Sequence, residues 1–392
     1  MIRNITADYI FPINSEPIKN GIVSVAPDGE ILGLQARDAT KLNDQTAEYH
    51  RGIIVPGFVN THCHLELSFL HKKIPQKEGL IPFIKHVIES RGTTDESMLK
   101  ETMEQADQMM FDNGIVAVGD VSNTAASIQV KERSPIYYHT FIEILGFAPS
   151  IADEVFAKGK ELKKQFNGLP SSLTPHSPYS ISKDLLKLIK KYCDTHKNIL
   201  SIHNQESEEE NKLFRYKKGG FPEFFSFLNQ DISFFKPQAR NSIQTVIPLM
   251  PENCPVLLVH NTYTSLKDIY FIRRFGRKIT WCFCPNANLY IEDRIPKIPM
   301  FLNHNFNITL GTDSLASNDK LCILSEIKVI HERFPDISLE RMLCWATLNG
   351  ARFLGIDKKF GSIEEGKKPG LNLITNVVDF KLTPDSKVER LV

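Results

Sequence analysis

From residue 53 to about 350, short apolar runs alternate with longer stretches whose apolar residues recur at three and four. The short runs read as strands, and the three-and-four recurrence reads as helices. The expected strands are 53–62, 115–121, 136–143, 171–176, 198–203, 255–260, 278–284 and 307–312. Helical stretches such as 80–91, 97–113, 182–196, 265–275 and 321–333 lie between them. Eight strands alternating with helices predict an α/β chain built as a (β/α)8 TIM barrel. The two ends follow another pattern. Residues 1–55 carry the strand-like runs Ile10–Ile13, Gly21–Val25 and Glu30–Leu34, with no helix of useful length. Residues 353–392 carry Phe360–Ile363, Leu371–Thr375 and Lys387–Val392. These ends are expected to pair as one small β-sandwich domain beside a barrel spanning 56–352.

Active sites of such barrels lie at the carboxyl ends of the strands, so the polar residues that close the apolar runs carry the chemistry. The first run closes in Phe58-Val-Asn-Thr-His-Cys-His64. Residues two apart on a strand share a face, so His62 and His64 can reach one ion. Strand four ends in His176, strand five in His203, strand six in His260 and strand eight in Asp313. One histidine alone is more often a packing residue. This many at one face make a metal site the better reading.

These residues resemble the amidohydrolase superfamily, within it the cytosine, guanine and adenosine-type deaminases and chlorohydrolases. The motifs are Pro56-Gly-Phe-Val-Asn-Thr-His-Cys-His64, Thr174-Pro-His-Ser-Pro-Tyr-Ser180, His203-Asn-Gln-Glu206, Val259-His-Asn261, Cys284-Pro-Asn-Ala-Asn288 and Leu310-Gly-Thr-Asp-Ser-Leu-Ala-Ser-Asn318. The resemblance implies one divalent metal ion, zinc before iron, on His62, His64, His203 and Asp313. It implies catalytic roles for Glu206, His260 and Asp313, and places His176 and Asn288 in the substrate pocket. Ala287 stands where the family's Cys-Pro-x-Ser-Asn motif has Ser. Strand four, Ser171–His176, lacks the lysine that bridges two metals in binuclear members, which favours one metal and the deaminase branch. Gly366–Leu373 lacks the Ala-Asp common at that place in the family.

The chemistry fits on independent grounds. Zinc with three or four protein ligands and an open position lowers the pKa of bound water to about 7. The resulting hydroxide can attack a ring carbon bearing an amino group. Asp313 can take its proton, Glu206 can protonate a ring nitrogen, and His260 can stabilise the developing charge, with ammonia leaving. The expected activity is hydrolytic deamination of an amino-purine nucleoside or similar amino-heterocycle. The alternatives are a chloro-heterocycle or cyclic-amide hydrolase on the same ligands, and a metal- or ligand-binding barrel without turnover. Glu66, two past His64, is an expected substrate residue, with a salt bridge to the barrel as the competing reading. Arg91 is expected on the surface, with an anionic substrate group as its alternative partner. Glu208, Glu209 and Glu210 are expected to be the solvated start of a helix. The stretch Phe221–Phe227 with Phe234 and Phe235 could form a lid or simply core. The run His62–Ser68 also looks like a subgroup that includes aminodeoxyfutalosine deaminases.

Composition narrows the partners. Forty-seven Lys and Arg against 46 Asp and Glu give no global field for nucleic acid or a membrane surface. No apolar run is long enough to span a bilayer and no secretory signal is visible, so a cytoplasmic enzyme is expected. Seven scattered cysteines fit reduced thiols, with Cys282 and Cys284 as buried residues rather than ligands. His64-Leu-Glu66 resembles the His-x-Glu of cytidine deaminases, but no Pro-Cys-x-x-Cys follows. A homodimer is the family's expectation.

Overall fold

The computed structural model describes residues 1–36, 46–91 and 94–392. Fifteen strands are described: β1 (Arg3–Ile10), β2 (Ile18–Lys19), β3 (Gly21–Val25), β4 (Ile31–Ala36), β5 (Glu48–Pro56), β6 (Phe58–Cys63), β7 (Ile115–Ser122), β8 (Tyr137–Ile144), β9 (Ser171–Pro175), β10 (Leu200–Asn204), β11 (Val256–His260), β12 (Ile279–Phe283), β13 (Asn307–Leu310), β14 (Leu371–Val378) and β15 (Lys381–Arg390). All eight runs expected between 53 and 312 are strands, and helices lie between them. They form two four-stranded parallel sheets, β6-β7-β8-β9 and β10-β11-β12-β13. At one seam His203 donates its amide to the His176 carbonyl, at 2.9 Å. At the other, Thr312 and Asp313 both donate theirs to the His62 carbonyl, at 3.1 Å. Asn60 Nδ2 and Thr61 Oγ1 add bonds to Thr312 Oγ1 and the Leu310 carbonyl across that second seam.

β6, β7, β10, β11 and β12 are buried along their whole length; β7, β11 and β12 accordingly run largely apolar, whereas β6 and β10 also bury polar residues such as Asn60, Thr61, Ser201 and Asn204. The helices present one apolar stripe each. Lys183–Thr195, for example, buries Leu185, Leu186 and Ile189 and is started by Ser182, whose side chain accepts the Leu185 amide.

The two ends of the chain do come together, in one seven-stranded sheet of order β15-β14-β5-β1-β3-β4, with β2 on β1. β14 pairs antiparallel with β5, Leu371 against Pro56 and Ile374 against Ile53, and β5 runs directly into β6. Gly57 is the joint. A Cβ there would meet Val116 Cγ1 at 2.2 Å and the Pro369 carbonyl at 2.6 Å, so only glycine lets the two sheets approach this closely. Two terminal expectations shift. The first strand lies at 3–10, not 10–13, because alternation along Asn4–Ala7 buries Ile5 and Ala7 against the sheet. Phe360–Ile363 is a turn, and its residues fill core without entering a ladder.

Candidate metal centre and active site

Strand ends place the histidines as their spacing requires. His62 lies in β6 and His64 one residue beyond it, both aimed at the same point. His64 Nε2 is 3.1 Å from His62 Nε2 and 3.1 Å from His203 Nε2. Asp313 Oδ1 stands 3.5 Å from the Nε2 atoms of both His62 and His64. All four residues are buried. Gly311 allows this convergence, since a Cβ there would sit 2.8 Å from His62 Cβ.

These atoms fit a metal ion. Tetrahedral ligands at a zinc–nitrogen distance of about 2.1 Å are themselves separated by about 3.4 Å, close to the spacings seen. His203 Nδ1 lies 2.9 Å from the His176 carbonyl, so Nδ1 carries the proton and the Nε2 lone pair faces the centre. Burial, then the neighbouring His62, pulls the His64 pKa down to about 3, and burial pulls His203 well below its ordinary value. Neutral imidazoles with converging lone pairs repel one another unless a cation lies between them. Burial works against ionisation of Asp313, but His62, His64 and His260 more than offset it and hold the carboxyl well below the usual range. Its Oδ2 accepts the Ser317 hydroxyl at 2.6 Å.

His260, at the end of β11, belongs to the same cluster. Its Nδ1 is 2.8 Å from Asn288 Oδ1 and its Nε2 3.6 Å from Glu206 Oε1. Burial, reinforced by the Asp313 and Glu292 charges, raises the Glu206 pKa well above the usual carboxylate value. A carboxyl kept protonated opposite a metal centre is suited to donate a proton. His260, Gln205 and Asp313 all have positive φ, at 70°, 47° and 57°. Non-glycine residues rarely adopt this conformation, and it concentrates at sites where the surroundings over-determine it.

The cluster is the floor of a cavity of about 240 Å³. His64, His176, His203, Glu206, His260 and Asp313 all reach it. Leu80, Phe83, Val87, Phe147, Phe224 and Phe225 are among its walls, and Arg91 and Asn123 also line it. The space admits one small ligand, mostly through apolar contact. Phe225 stacks on Phe147 at 4.8 Å between ring centroids. The aromatic stretch is therefore both cavity wall and core.

Other expected residues sit elsewhere. Glu66 turns from the cavity to the segment after β7, where it accepts the amides of Asn123 and Thr124 at 3.0 and 3.2 Å and the Thr124 hydroxyl at 2.9 Å. Asn288 does not line the cavity and reaches it only through His260. Arg91 does line it, its guanidinium donating to Asn123 Oδ1 at 2.8 Å. Glu210 is fully buried rather than solvated, accepting the Gln205 amide at 3.1 Å. As third residue of the helix Glu208–Tyr216 it points inward, while Glu208 and Glu209 are half-buried. Cys282 and Cys284 are buried free thiols.

Glu143 was not among the expected residues. It is the penultimate residue of β8 and the last of the expected run 136–143, and a polar residue ending that run was the available signal. Its Oε1 is 2.7 Å from His176 Nδ1 and 3.6 Å from His203 Nδ1, and its Oε2 accepts Asn123 Nδ2 at 3.0 Å. Burial opposes its charge, but His176 and His203 outweigh that and hold it ionised.

Comparison with known proteins places the chain in a family. The model of the amidohydrolase family matches residues 53–390. The chain belongs to the amidohydrolase family. This family member is 26% identical over 332 residues to an adenosine deaminase of Helicobacter pylori, covering 83% of this chain and 79% of that one. Its fold matches the crystal structure of Helicobacter pylori aminofutalosine deaminase in complex with methylthio-coformycin, with TM-score 0.82, 22% identity and full coverage of both chains. It also matches an adenosine deaminase from Xanthomonas campestris with bound zinc, with TM-score 0.72, 19% identity and 95% and 84% coverage. At these identities the two structural likenesses speak for the fold.

Proposed function

We propose that this amidohydrolase is a metal-dependent hydrolytic deaminase of amino-purine nucleosides, with one zinc ion held by His62, His64, His203 and Asp313. The observation that carries the reading is the convergence of those four ligands, with Glu206 and His260, at a largely apolar cavity that all of them but His62 line. The names of its relatives, adenosine and aminofutalosine deaminases, support the same class. We also take the two parallel sheets as the halves of a single eight-stranded barrel, joined at the β9–β10 and β13–β6 seams, with residues 56–352 as the catalytic unit.

When bound, the ion supplies Lewis acidity and an acidified water. The chain supplies the rest. Asp313, ionised and held by Ser317, accepts the proton of the attacking water. Glu206, kept protonated by burial, gives its proton to the ring nitrogen next to the carbon under attack, so that the ring does not accumulate negative charge. His260, its Nδ1–H given to Asn288 Oδ1, turns its Nε2 lone pair to the site and orients the attacking water by accepting a hydrogen bond from it. His176 faces the ring from the opposite strand end, with Glu143 behind it. Asp313 then passes the proton it took to the amine, which departs as ammonia, and the hydroxyl left on the ring carbon returns a proton to Glu206 as it becomes the carbonyl.

The walls select the class of nucleoside. Arg91 is the one cationic side chain other than histidine among the described residues that line the cavity. A 5′-phosphate would be buried against Leu80, Phe83 and Ile84 with no cluster of donors, at the cost of a desolvated charge. Nucleosides with apolar 5′ substituents fit instead. Ammonia release from the zinc-loaded protein with adenosine, 5′-deoxyadenosine, methylthioadenosine and aminodeoxyfutalosine tests this. Release from at least one, lost in Asp313→Ala, is expected. Silence on all of them with one metal bound per chain would overturn it.

A further inference from the structure

The steps above leave one buried charge pair unused. Asp120, near the end of β7, and Lys131, on the helix Ile128–Arg133 that follows, are both buried, with Nζ 2.6 Å from Oδ2. Lys131 Nζ also donates to Ser122 Oγ at 2.9 Å and Thr140 Oγ1 at 3.0 Å, so all three of its protons have acceptors. Its ammonium lies 5.6 Å from the ring centroid of Tyr138 and 5.3 Å from that of Phe166.

A pair of this kind is a weak source of stability, because desolvating two ions offsets most of their attraction. Its purpose shows at the other carboxylate oxygen. Asp120 Oδ1 accepts the amide of Leu65 at 2.8 Å. Leu65 directly follows His64, and it opens a short 3-10 turn, Leu65–Leu70, that has no side-chain cap of its own. The β6–β7 ladder is already irregular here, its register shifting between Asn60 and Cys63. Cys63, opposite Asp120, is the last ladder pair; at His64 and beyond the backbone leaves the ladder, the His64 carbonyl accepting the Leu67 amide at 3.1 Å. Asp120 supplies the missing acceptor, and Lys131, fixed by its other two acceptors, locks the carboxylate in the rotamer that reaches it.

We propose that Asp120, held by Lys131, is a positioning residue of the metal centre: through the Leu65 amide it fixes the backbone at His64, and so the place of its Nε2. The proposal rests on reading His62, His64, His203 and Asp313 as the ligands. It needs no assumption about substrate.

Two charge-free double variants isolate the acceptor. D120N/K131M removes both charges and keeps a carbonyl oxygen for the Leu65 amide, whereas D120L/K131M removes both charges and the acceptor. Zinc affinity is read by competition with a chromophoric chelator, and the geometry by the visible absorption of the cobalt(II)-substituted protein. D120N/K131M is expected to bind zinc within about threefold of the parent and to keep its cobalt spectrum. D120L/K131M is expected to bind zinc about 10–100-fold more weakly, with a shifted cobalt band. Thermal unfolding checks that each variant folds, and D120A/K131M carries the same comparison should the leucine not be accommodated. Equal zinc affinities and superimposable cobalt spectra for the two folded variants would overturn the proposal. A parent protein that takes up neither zinc nor cobalt would overturn the ligand assignment on which it stands.

Discussion

Asn288 Oδ1 lies 2.8 Å from His260 Nδ1, with both side chains buried. The amide thus decides which ring nitrogen His260 turns to the cavity, although it does not line the cavity itself. Replacing Asn288 by Ala frees the imidazole to rotate. The zinc content should stay at one per chain while turnover falls by about 10–100-fold, the range seen when the hydrogen-bond partner of a site histidine is lost. Measuring metal stoichiometry beside kcat separates this from loss of the centre.

Glu206 should be essential to the proton inventory and dispensable for metal. Glu206→Gln preserves shape and removes the transferable proton, so the rate should fall by a factor on the order of 10² or more with zinc retained. An unchanged rate would remove Glu206 from the mechanism.

His203 supplies a lone pair at the middle of the ligand cluster. His203→Ala should lose both zinc and turnover, and the parent protein dialysed against a strong chelator should lose turnover and regain it with zinc. Binding of zinc at full stoichiometry by the variant would count against the ligand set.

Glu210 gives the fold a pH dependence of its own. Burial pushes its pKa from an ordinary 4.5 up to about 8. A carboxyl raised in this way stabilises the folded state fully below its ordinary value. That contribution is lost as pH rises from there through about 8, and does not change further above. Glu210→Gln carries no such charge. Between pH 5 and 9 the parent should therefore lose about a few kcal/mol of stability relative to the variant, read by chemical denaturation at several pH values. A constant difference would show that Glu210 titrates normally.

How much of this was legible in the sequence follows from what each residue depends on. The eight strands announce themselves as short, mostly apolar runs spaced by helical stretches, and His62, His64, His176, His203, His260 and Asp313 stand out as the polar residues that close them. Glu143 closes such a run too, but a lone carboxylate at a strand end has no motif, and its meaning comes from His176 on the next strand. Glu66 was misplaced because two-residue alternation holds only while the strand lasts. The backbone leaves β6 at Cys63 and turns, which carries Glu66 to the β7 side. Asp120, Lys131 and Glu210 escaped for one reason. Charge usually means surface, and only three-dimensional packing shows which charged residue has been taken inside with its partners.

The pairing of β14 with β5 has a consequence for how the chain folds. β5 leads straight into the strand that ends at His62 and His64, yet one of its two flanking partners, β14, is separated from it in sequence by every described helix. Until that distant segment docks, one edge of β5 stays open, an exposed edge that invites wrong pairing. Closing this long-range pair is thus what shields the strand that leads to the first two histidines.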